Sequence, residues 1–452
     1  MRYLIHTYGC QMNVHESEKL AGLLEGMGAT PCEEGERPDI VVFNTCCIRD
    51  NAERRALGNI GVVKGEKKRN PDLIIAVCGC MTQQDGGADT IKARYPYVDI
   101  VLGTRNISRL PEEIERVVQS RKAKRRSDKR YRVFDTSEVE NYLPTDECTP
   151  VARTSYPNAW VNIIYGCNNF CTYCIVPYVR GREISRDPAA VLDEVRRAVD
   201  EGYKEITLLG QNVNSYGNDR TDGANFAGLL REISRIGGKF RVRFMTSHPK
   251  DLTEEVMDAM AESDKVCANL HLPVQSGSNR VLAAMNRRYT REHYLSLISK
   301  LREKMPGIGI TTDIMVGFPT ETEEDFADTV DLVKTVRFSN AFTFIYSPRK
   351  GTPAARMEQI PYDIKRRRIT ELIALQNSVT KQLSEDYIGG VYEVLAEDVS
   401  PKHDGMLCGR TESGRLVTFP ADKNLVGEFV GVKITEARSA SLFGHIAVDY
   451  EH

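Results

Sequence analysis

The chain has 452 residues, 41% of them apolar, and a formal net charge of -2. This length suggests about two to four domains with ordinary hydrophobic cores, and it excludes a small scaffold stapled by disulfides. The near-neutral charge excludes a molecule-wide field that would hold nucleic acid indiscriminately, so any RNA contact must come from a local patch.

The first residues form a strand-like run, MRYLIHTYGC, without the charged start, apolar stretch and cleavage site of a signal peptide. No segment approaches the roughly 18 consecutive apolar residues of a membrane span. The sequence therefore predicts a soluble, cytoplasmic protein. Its 12 cysteines are too few for a disulfide framework in so long a chain, so their spacing points to metal binding or catalysis.

Residues 1–130 alternate near-continuous apolar runs with helical patterns. The apolar runs are RYLIHTYGC, DIVVFNTCC and DLIIAVCGC. Unbroken apolar strands between helices predict an open parallel α/β domain, with a sheet that is covered on both faces. We interpret residues 131–152 as a linker to the next domain.

Each of these three strands ends in a cysteine. Cys10, Cys46 and Cys80 are 36 and 34 residues apart, about one strand-helix unit each. They should therefore lie at the carboxyl ends of neighbouring strands, the edge at which open α/β sheets bind ligands. Three thiolates there suit an iron-sulfur cluster or, as a second choice, zinc. The alternative is plain burial, which suits Cys32 and Cys78 but does not explain three repeats at strand ends.

Two clusters of basic residues stand out from the rest of the chain. Arg121 to Arg132, RKAKRRSDKRYR, contains eight basic residues in twelve, and KRRR covers Lys365 to Arg368. A solvated face is the alternative to an RNA contact. If the longer cluster neutralises several phosphates, RNA affinity should fall steeply with salt.

The sharpest motif lies in residues 153–378, where a strand-like AWVNIIYG leads into a CxxxCxxC loop at Cys167, Cys171 and Cys174. Structural zinc usually takes four ligands in paired short spacings, whereas this loop supplies three. A 4Fe-4S cluster held by three thiolates keeps one iron open for a substrate or cofactor. Zinc completed by Cys148 or Cys267 remains the alternative.

Five more strand candidates follow the loop, each separated by a helical pattern: EITLLGQNV, KFRVRFMTS, ANLHLPVQS, GIGITTDIMVGF and NAFTFIYSP. With the strand before the loop, these six strand-helix repeats predict a partial (β/α)6 barrel with an open side. Polar residues at the carboxyl ends of barrel strands are candidate cofactor contacts, and turn or helix caps are their alternative role. The candidates are Gln211, Ser247, Gln275 and Asp313.

Residues 379–448 contain short alternating runs separated by turn residues. The runs are GGVYEVLAEDV, GMLCGRT, GRLVTFPA, GEFVGVKITEAR and GHIAVDY. This pattern predicts a small antiparallel β-barrel.

Together, the CxxxCxxC loop and the six-fold repeat resemble the radical S-adenosylmethionine (SAM) superfamily. The chain is more closely similar to the methylthiotransferases of that superfamily, in particular those that modify isopentenyladenosine in tRNA, and its last part resembles their TRAM domain. The similarity covers most of the chain in the family's order. The motifs that carry it are TYGCQMN (7–13), NTC (44–46), GCM (79–81), YGCNNFCTYCIVPYVRG (165–181), LLGQNVNSYG (208–217), LPVQSGS (272–278) and VGFPTET (316–322).

The resemblance implies two 4Fe-4S clusters. Cys167, Cys171 and Cys174, hereafter the loop cysteines, would bind the radical-generating cluster. Cys10, Cys46 and Cys80, hereafter the edge cysteines, would bind an auxiliary cluster. No catalytic side chain beyond these ligands is implied.

By the same resemblance, one SAM is cleaved to a 5'-deoxyadenosyl radical and a second supplies a methyl group. A methylthio group is then joined to carbon 2 of the isopentenylated adenosine next to the anticodon. That ring C–H bond offers no acidic proton to a base, and radical chemistry from a cofactor answers this difficulty.

The implied partners are the anticodon stem-loop of tRNA, a low-potential electron donor of the flavodoxin or ferredoxin kind, and a carrier of sulfur or clusters. A single-stranded loop suits this role because its bases can be splayed out for recognition. The enzyme is expected to be a monomer.

Three alternatives remain open. Related methylthiotransferases act on threonylcarbamoyladenosine in tRNA or on an aspartate of a ribosomal protein. A zinc-containing RNA-binding module would be colourless, whereas two 4Fe-4S clusters predict a brown protein with about eight irons. Within the motifs, Cys47 beside Cys46 and Cys78 close to Cys80 depart modestly from the family's pattern, so either is a rival ligand.

Overall fold

The structure, a computed structural model, describes residues 1–48, 50–123, 131–137, 149–438 and 441–447. The chain forms two compact units. The first unit comprises Met1–Thr154, Tyr165–Asn168 and Cys174–Arg186, and the second comprises Ser155–Ile164, Asn169–Tyr173 and Asp187–His452. The chain therefore passes between the units within the stretch that carries the loop cysteines.

The first unit contains a six-stranded sheet in the order β2-β1-β3-β4-β5-β6, and all neighbouring strands are parallel. This confirms the predicted open parallel α/β domain. Its strands are β1 (Arg2–Thr7), β2 (Thr30–Pro31), β3 (Ile40–Thr45), β4 (Ile74–Gly79), β5 (Ile100–Leu102) and β6 (Val133–Asp135). Its helices are α1 (Gln11–Gly26), α2 (Asp50–Arg69), α3 (Cys80–Gln83), α4 (Gly87–Arg94) and α5 (Leu110–Ala123).

Strands β3 and β4 are buried along their whole length. Successive side chains of a strand point to opposite faces, so each strand contributes to two cores. In β3, Val41 and Phe43 pack in one hydrophobic cluster, and Ile40 and Val42 pack in the other. This two-sided burial explains why these strands read as unbroken apolar runs.

The stretch 131–152, interpreted above as a linker, contributes a strand and a contact to the first unit. Val133–Asp135 forms β6 beside β5. The Ala152 N–H donates to the Glu18 carbonyl at 3.0 Å. The domain bounds at residues 130, 152 and 378 stay a prediction.

The next part of the chain supplies the six predicted barrel strands, in two parallel three-stranded sheets, β11-β10-β7 and β12-β13-β14. A parallel bridge between Val242 and Val266 lies between the two sheets. The six barrel strands are β7 (Asn158–Asn162), β10 (Glu205–Leu209), β11 (Arg241–Phe244), β12 (Asn269–His271), β13 (Gly309–Val316) and β14 (Asn340–Ile345). Two short strands, β8 (Ile164–Tyr165) and β9 (Ile184–Ser185), form a separate two-stranded sheet. The helices are α6 (Val176–Arg180), α7 (Pro188–Asp200), α8 (Phe226–Ser234), α9 (Glu254–Ala261), α10 (Asn279–Ala284), α11 (Arg291–Lys304) and α12 (Glu323–Val336).

A long helix, α13 (Tyr362–Glu385), leads to the closed C-terminal barrel, whose strands are ordered β15-β16-β17-β19-β18. The predicted small barrel is confirmed, but β17 and β19 pair in parallel. In a closed ring with an odd number of strands, directions cannot alternate throughout, so at least one neighbouring pair must be parallel. The strands are β15 (Val391–Val399), β16 (Met406–Thr411), β17 (Leu416–Pro420), β18 (Phe429–Ala437) and β19 (Leu442–Ile446).

The C-terminal barrel is joined to the amino-terminal ends of the strands of the partial barrel through a buried ion cluster. Glu205, at the start of β10, accepts hydrogen bonds from Arg241 and Arg243 of β11. The Arg241 guanidinium also donates to the Arg410 carbonyl at 2.7 Å, and that of Arg243 donates to the Thr411 carbonyl at 2.7 Å. The carboxyl ends of the barrel strands, where barrel enzymes bind their ligands, lie at the opposite ends of the strands from this cluster.

None of the helices in the described part of the chain is both long and apolar enough to cross a membrane.

Candidate functional site

The edge cysteines follow three adjacent strands of the first sheet. Cys46 comes directly after β3, and Cys80 comes directly after β4 as the first residue of α3. Cys10 lies three residues after β1 and is the N-cap of α1. Because β1, β3 and β4 are neighbours and parallel, all three cysteines lie at one carboxyl edge. No three His, Cys, Asp or Glu side chains in the described ranges approach closely enough to chelate a single metal ion.

Two glycines allow the backbone to pass close beside these cysteines. Gly9 has φ +117°, and a Cβ there would lie 2.6 Å from the Cβ of Cys46. Gly79 has φ +98°, and a Cβ there would lie 2.3 Å from the Thr45 carbonyl oxygen. Glycine is needed at both positions because other side chains would be strained and would collide. These close approaches bring the segments that carry Cys10, Cys46 and Cys80 together at the sheet edge.

A buried arginine lies against the edge cysteines. Arg180, the last residue of α6, donates from Nε to the Cys80 Sγ at 3.2 Å. Its other nitrogens bind both carboxylate oxygens of Glu16 and the Asn13 Oδ1. A hydrogen bond from Cys47 and the charge of Arg180 lower the pKa of Cys80 to about 7, although burial opposes them. The donor set therefore suits a thiolate ligand at Cys80.

The other cysteines of the first unit have different surroundings. Cys47 is buried, and its hydrogen bond to Cys80, together with burial, raises the pKa of the Cys47 thiol. Cys78 lies inside β4 and packs in a different hydrophobic cluster from Cys80, as the burial interpretation predicts. Cys32 is only half-buried, so the expectation of a buried Cys32 was wrong.

The loop cysteines lie between β8 and α6. Gly166 has φ +72°, and a Cβ there would lie 2.0 Å from the Arg182 carbonyl oxygen, which explains the glycine before Cys167. Cys167 and Cys174 belong to the same compact unit as the edge cysteines. In that unit, the Cys167 N–H donates to the Gly181 carbonyl at 3.1 Å. Sequence spacing gave no sign of this grouping.

Cys171 belongs to the second unit, where a second buried arginine lies beside it. The Arg287 Nη1 is 3.5 Å from the Cys171 Sγ, and its Nη2 donates to the Pro273 carbonyl at 2.7 Å. The Thr172 N–H donates to the Met285 carbonyl at 3.0 Å, which fixes this segment on the loop after α10. Arg287 is 116 residues from Cys171, and no feature of the sequence connects the two.

Three of the four candidate SAM contacts follow barrel strands. Gln211 lies two residues after β10, Ser247 lies three after β11, and Gln275 lies four after β12 with φ +69°. Asp313 is not at a strand end, which corrects that expectation. It lies in the middle of β13, because this strand continues to Val316, and its carboxylate is 3.7 Å from the His271 Nε2.

Several buried polar atoms near these strand ends lack a hydrogen-bond partner within the part of the chain that is described: Asn212 Oδ1, both amide atoms of Asn214, Ser247 Oγ and His248 Nε2. Leaving such groups unpaired in the interior costs free energy, so they fit a polar ligand that would satisfy them. Burial, with the charges of Arg287 and Lys250, keeps the pKa of His248 well below its usual range. Asn214 was missed at first, although it lies in the LLGQNVNSYG motif.

The face of β12–β14 that turns away from the helices carries a further group of residues. Ile310 and Ile314 of β13 pack in the helix-facing core, whereas Asp313 pairs across the sheet with Phe342. The Phe342 and Phe344 side chains are 50% and 40% exposed, which is unusual for phenylalanine in a barrel strand. Their one-residue alternation in NAFTFI was the signal that could have identified them.

The two basic clusters are less available than the sequence indicates. Arg121 binds the Asp99 carboxylate at 2.9 Å, and Arg132 donates to the Val98 carbonyl at 2.8 Å. Residues 124–130, the centre of the longer cluster, lie outside the described residues. In KRRR, Lys365 and Arg368 are buried, and Arg368 pairs with Glu321 at 2.7 Å.

Profiles of three known families match this chain. The Radical SAM superfamily matches residues 161–333, the TRAM domain matches 385–447, and a family described as Uncharacterized protein family UPF0004 matches 2–103. Each profile covers one of the three parts recognised from the sequence, including both cysteine sets.

Solved structures share the fold at low identity. The radical S-adenosylmethionine methyltransferase TsrM from Kitasatospora setae, with cobalamin and a [4Fe-4S] cluster bound, has a TM-score of 0.58 at 16% identity. That match covers 78% of this chain and 73% of TsrM. The cobalamin-dependent radical enzyme OxsB has a TM-score of 0.52 at 13% identity and covers 83% of this chain and 56% of OxsB. These likenesses concern the fold alone.

Curated relatives match along nearly the whole chain. The tRNA-2-methylthio-N(6)-dimethylallyladenosine synthase of Clostridium botulinum is 50% identical over 443 residues, covering 98% of this chain and 96% of the relative. The proteins of the same name from Carboxydothermus hydrogenoformans and Clostridium tetani are 50% and 51% identical, and each match covers 98% of this chain. They cover 98% and 95% of those relatives, respectively. With identity this high over nearly the whole chain, the chain belongs to the tRNA-2-methylthio-N(6)-dimethylallyladenosine synthase family.

Proposed function

We propose that this chain attaches a methylthio group to carbon 2 of N6-isopentenyladenosine next to the anticodon of tRNA, with SAM as both methyl donor and radical source. The observation that carries the proposal is the 50% identity to synthases of that name over 98% of the chain. The Radical SAM and UPF0004 matches also cover the ranges that carry the loop cysteines and the edge cysteines.

The proposed ligands are the loop cysteines for a radical-generating 4Fe-4S cluster and the edge cysteines for an auxiliary one. When bound, the clusters and SAM supply the one-electron chemistry that an unactivated C–H bond requires. The protein would hold these groups through thiolates and shield them from water. Arg180 and Arg287 support the assignment, because each places a buried cation beside one cysteine of a set.

The carboxyl ends of the barrel strands are proposed to hold SAM. Ser247, with His248 and Asn214 beside it, would orient polar groups of SAM by pairing the atoms that are otherwise buried without partners. Gln211 and Gln275 would act from the ends of their strands. Asp313 would act from the inner face of β13, together with His271.

The proposed macromolecular partner is the tRNA anticodon stem-loop, bound in part by the TRAM-like barrel. A flavodoxin- or ferredoxin-like donor would reduce the clusters, and a carrier would deliver sulfur or clusters. We also propose that the enzyme acts in the cytoplasm as a monomer.

The test is anaerobic incubation of the reconstituted protein with SAM, a reductant and tRNA that contains isopentenyladenosine, followed by nucleoside mass spectrometry. We expect the 2-methylthio nucleoside together with 5'-deoxyadenosine. 5'-Deoxyadenosine without the modified nucleoside would move the substrate to threonylcarbamoyladenosine or the ribosomal protein. A colourless protein that contains zinc would contradict the proposed activity and the two related methylthiotransferase activities, and it would favour an RNA-binding module. A Cys32→Ala variant is the matched control, because Cys32 belongs to neither cysteine set.

We also propose that Cys47 is not a cluster ligand, although its thiol is hydrogen-bonded to Cys80. Cys47→Ser should keep about eight irons per chain, because Cys47 packs in the core and supports Cys80 by a hydrogen bond. Iron analysis and the absorbance of the reconstituted protein measure this. Loss of about four irons from Cys47→Ser, with Cys46→Ser unaffected, would make Cys47 the ligand in place of Cys46.

A further inference from the structure

Arg180 is the point at which the segment after the loop cysteines reaches the edge cysteines within the first unit. It is six residues after Cys174 in sequence and 100 residues after Cys80, yet its Nε lies 3.2 Å from the Cys80 Sγ. Its side chain is only 4% exposed. A buried guanidinium is retained only where its charge and donors are satisfied.

The partners of Arg180 fix its orientation. Nη1 and Nη2 bind the two oxygens of the Glu16 carboxylate at 2.6 and 3.2 Å, a bidentate pairing that holds the guanidinium plane. Nη2 also lies 3.3 Å from the Asn13 Oδ1, which in turn lies 3.5 Å from the Cys10 Sγ. Nε is therefore aimed at Cys80, and the same side chain reaches towards Cys10 through Asn13.

A cation and an N–H donor beside a cluster sulfur favour the reduced cluster, because reduction adds negative charge to the sulfurs and irons. Hydrogen bonds to sulfur, net charge and burial are the quantities that set iron-sulfur potentials. Glu16 opposes part of this effect, since its charge is close to the same site. Because Nε is directed at sulfur, Arg180 should raise the reduction potential by more than its charge alone would.

We propose that Arg180 is a positioning residue of the edge cysteines, which orients the Cys80 thiolate and raises the reduction potential of the cluster bound there. This inference rests on the proposed function, because it requires the auxiliary cluster at Cys10, Cys46 and Cys80. It assigns to Arg180 a role distinct from ligation.

The experiment measures the midpoint potential of the auxiliary cluster alone. The reference is the full-length chain with Cys167, Cys171 and Cys174 replaced by alanine, reconstituted anaerobically and titrated with dithionite under EPR. Three variants are made in this reference chain: Arg180→Gln, Arg180→Lys, and Arg180→Gln combined with Glu16→Gln. The double variant removes the buried charges together, so the fold is not left with an unpaired carboxylate. Arg182→Gln is the matched control, because Arg182 is exposed two residues away.

We expect a more negative midpoint in Arg180→Gln and a smaller shift in Arg180→Lys, which keeps the charge. The double variant should also shift by less than Arg180→Gln, because the opposing charge of Glu16 is lost as well. Arg182→Gln should match the reference. Midpoints equal to the reference in all Arg180 variants would overturn the inference. Loss of the cluster from all Arg180 variants would also overturn the inference, since Arg180 would then be required for the fold of the site and would not tune the reduction potential.

A separate variant distinguishes failure of the inference from failure of the proposed function. Cys80→Ala in the same reference should lose the remaining iron, about four atoms per chain. Retention of that iron would reject the ligand assignment itself. Loss of iron from Cys80→Ala, with an unshifted midpoint in Arg180→Gln, would reject only the role of Arg180.

Discussion

Replacing Cys167, Cys171 and Cys174 with alanine should abolish both 5'-deoxyadenosine and the 2-methylthio nucleoside while about four irons remain bound. The reason is that the loop cysteines are the proposed ligands of the radical-generating cluster, at which SAM is cleaved. Enzymes accelerate their reactions by at least ~10⁶-fold, so loss of the group that supplies the chemistry leaves product below detection. Liquid chromatography with mass spectrometry measures both products, and iron analysis measures the remaining cluster.

The Cys32→Ala variant controls for the removal of a thiol as such and should retain both products. Full 5'-deoxyadenosine formation in the triple alanine variant would contradict the assignment of the loop cysteines. Loss of all iron would instead show that the two cysteine sets do not assemble independently. That result would accord with the grouping of Cys167 and Cys174 in the same compact unit as the edge cysteines.

Glu205→Gln should lower the free energy of unfolding by about 3–5 kcal/mol, because the buried Arg241 and Arg243 lose the carboxylate that both of them bind. Glu397, 3.3 Å from Arg241, compensates part of the remaining charge. Glu205 is buried, and both Arg241 and Arg243 donate to the same oxygen of its carboxylate. Urea unfolding followed by the fluorescence of Trp160 measures the change. Trp160 is the chain's single tryptophan and lies in β7, within the same unit.

The same carboxylate predicts a dependence of stability on pH. Burial alone would raise the pKa of Glu205, but the charges and hydrogen bonds of Arg243 and Arg241 outweigh it and hold the pKa at about 2. A carboxylate with a lowered folded pKa stabilises the fold fully above its ordinary pKa of 4.5, and this stabilisation is lost as pH falls towards 2. The difference corresponds to about 3 kcal/mol.

The matched control is Glu262→Gln, which breaks an exposed ion pair with Arg231 in the same unit. Exposed pairs contribute about 0–1 kcal/mol, so this variant should unfold close to the wild type. In Glu205→Gln, the stability change between pH 4.5 and pH 2 should shrink relative to the wild type. An equal pH dependence in the two proteins would show that the ionised Glu205 carboxylate does not stabilise the fold as described.

The local sequence pattern by itself determined the fold class and the location of the edge cysteines at one edge of the sheet. The apolar runs of β3 and β4 predict strands covered on both faces, and Ile40 to Phe43 alternate between two cores as that reading requires. The spacing of Cys10, Cys46 and Cys80 predicts one sheet edge, because parallel strands joined by helices all end on the same side. The five C-terminal runs predict a small barrel for a different reason, because each is a short alternating run bounded by turn residues.

Only the tertiary structure decided which distant residues meet these cysteines. Arg180 contacts Cys80 across 100 residues, and Arg287 contacts Cys171 across 116. The sequence pattern also offers no reason to expect Lys365 and Arg368 in the interior. Periodicity and spacing encode which face of an element is buried and where it ends. They do not encode which partners a buried charge finds, because that depends on how elements far apart in sequence pack together.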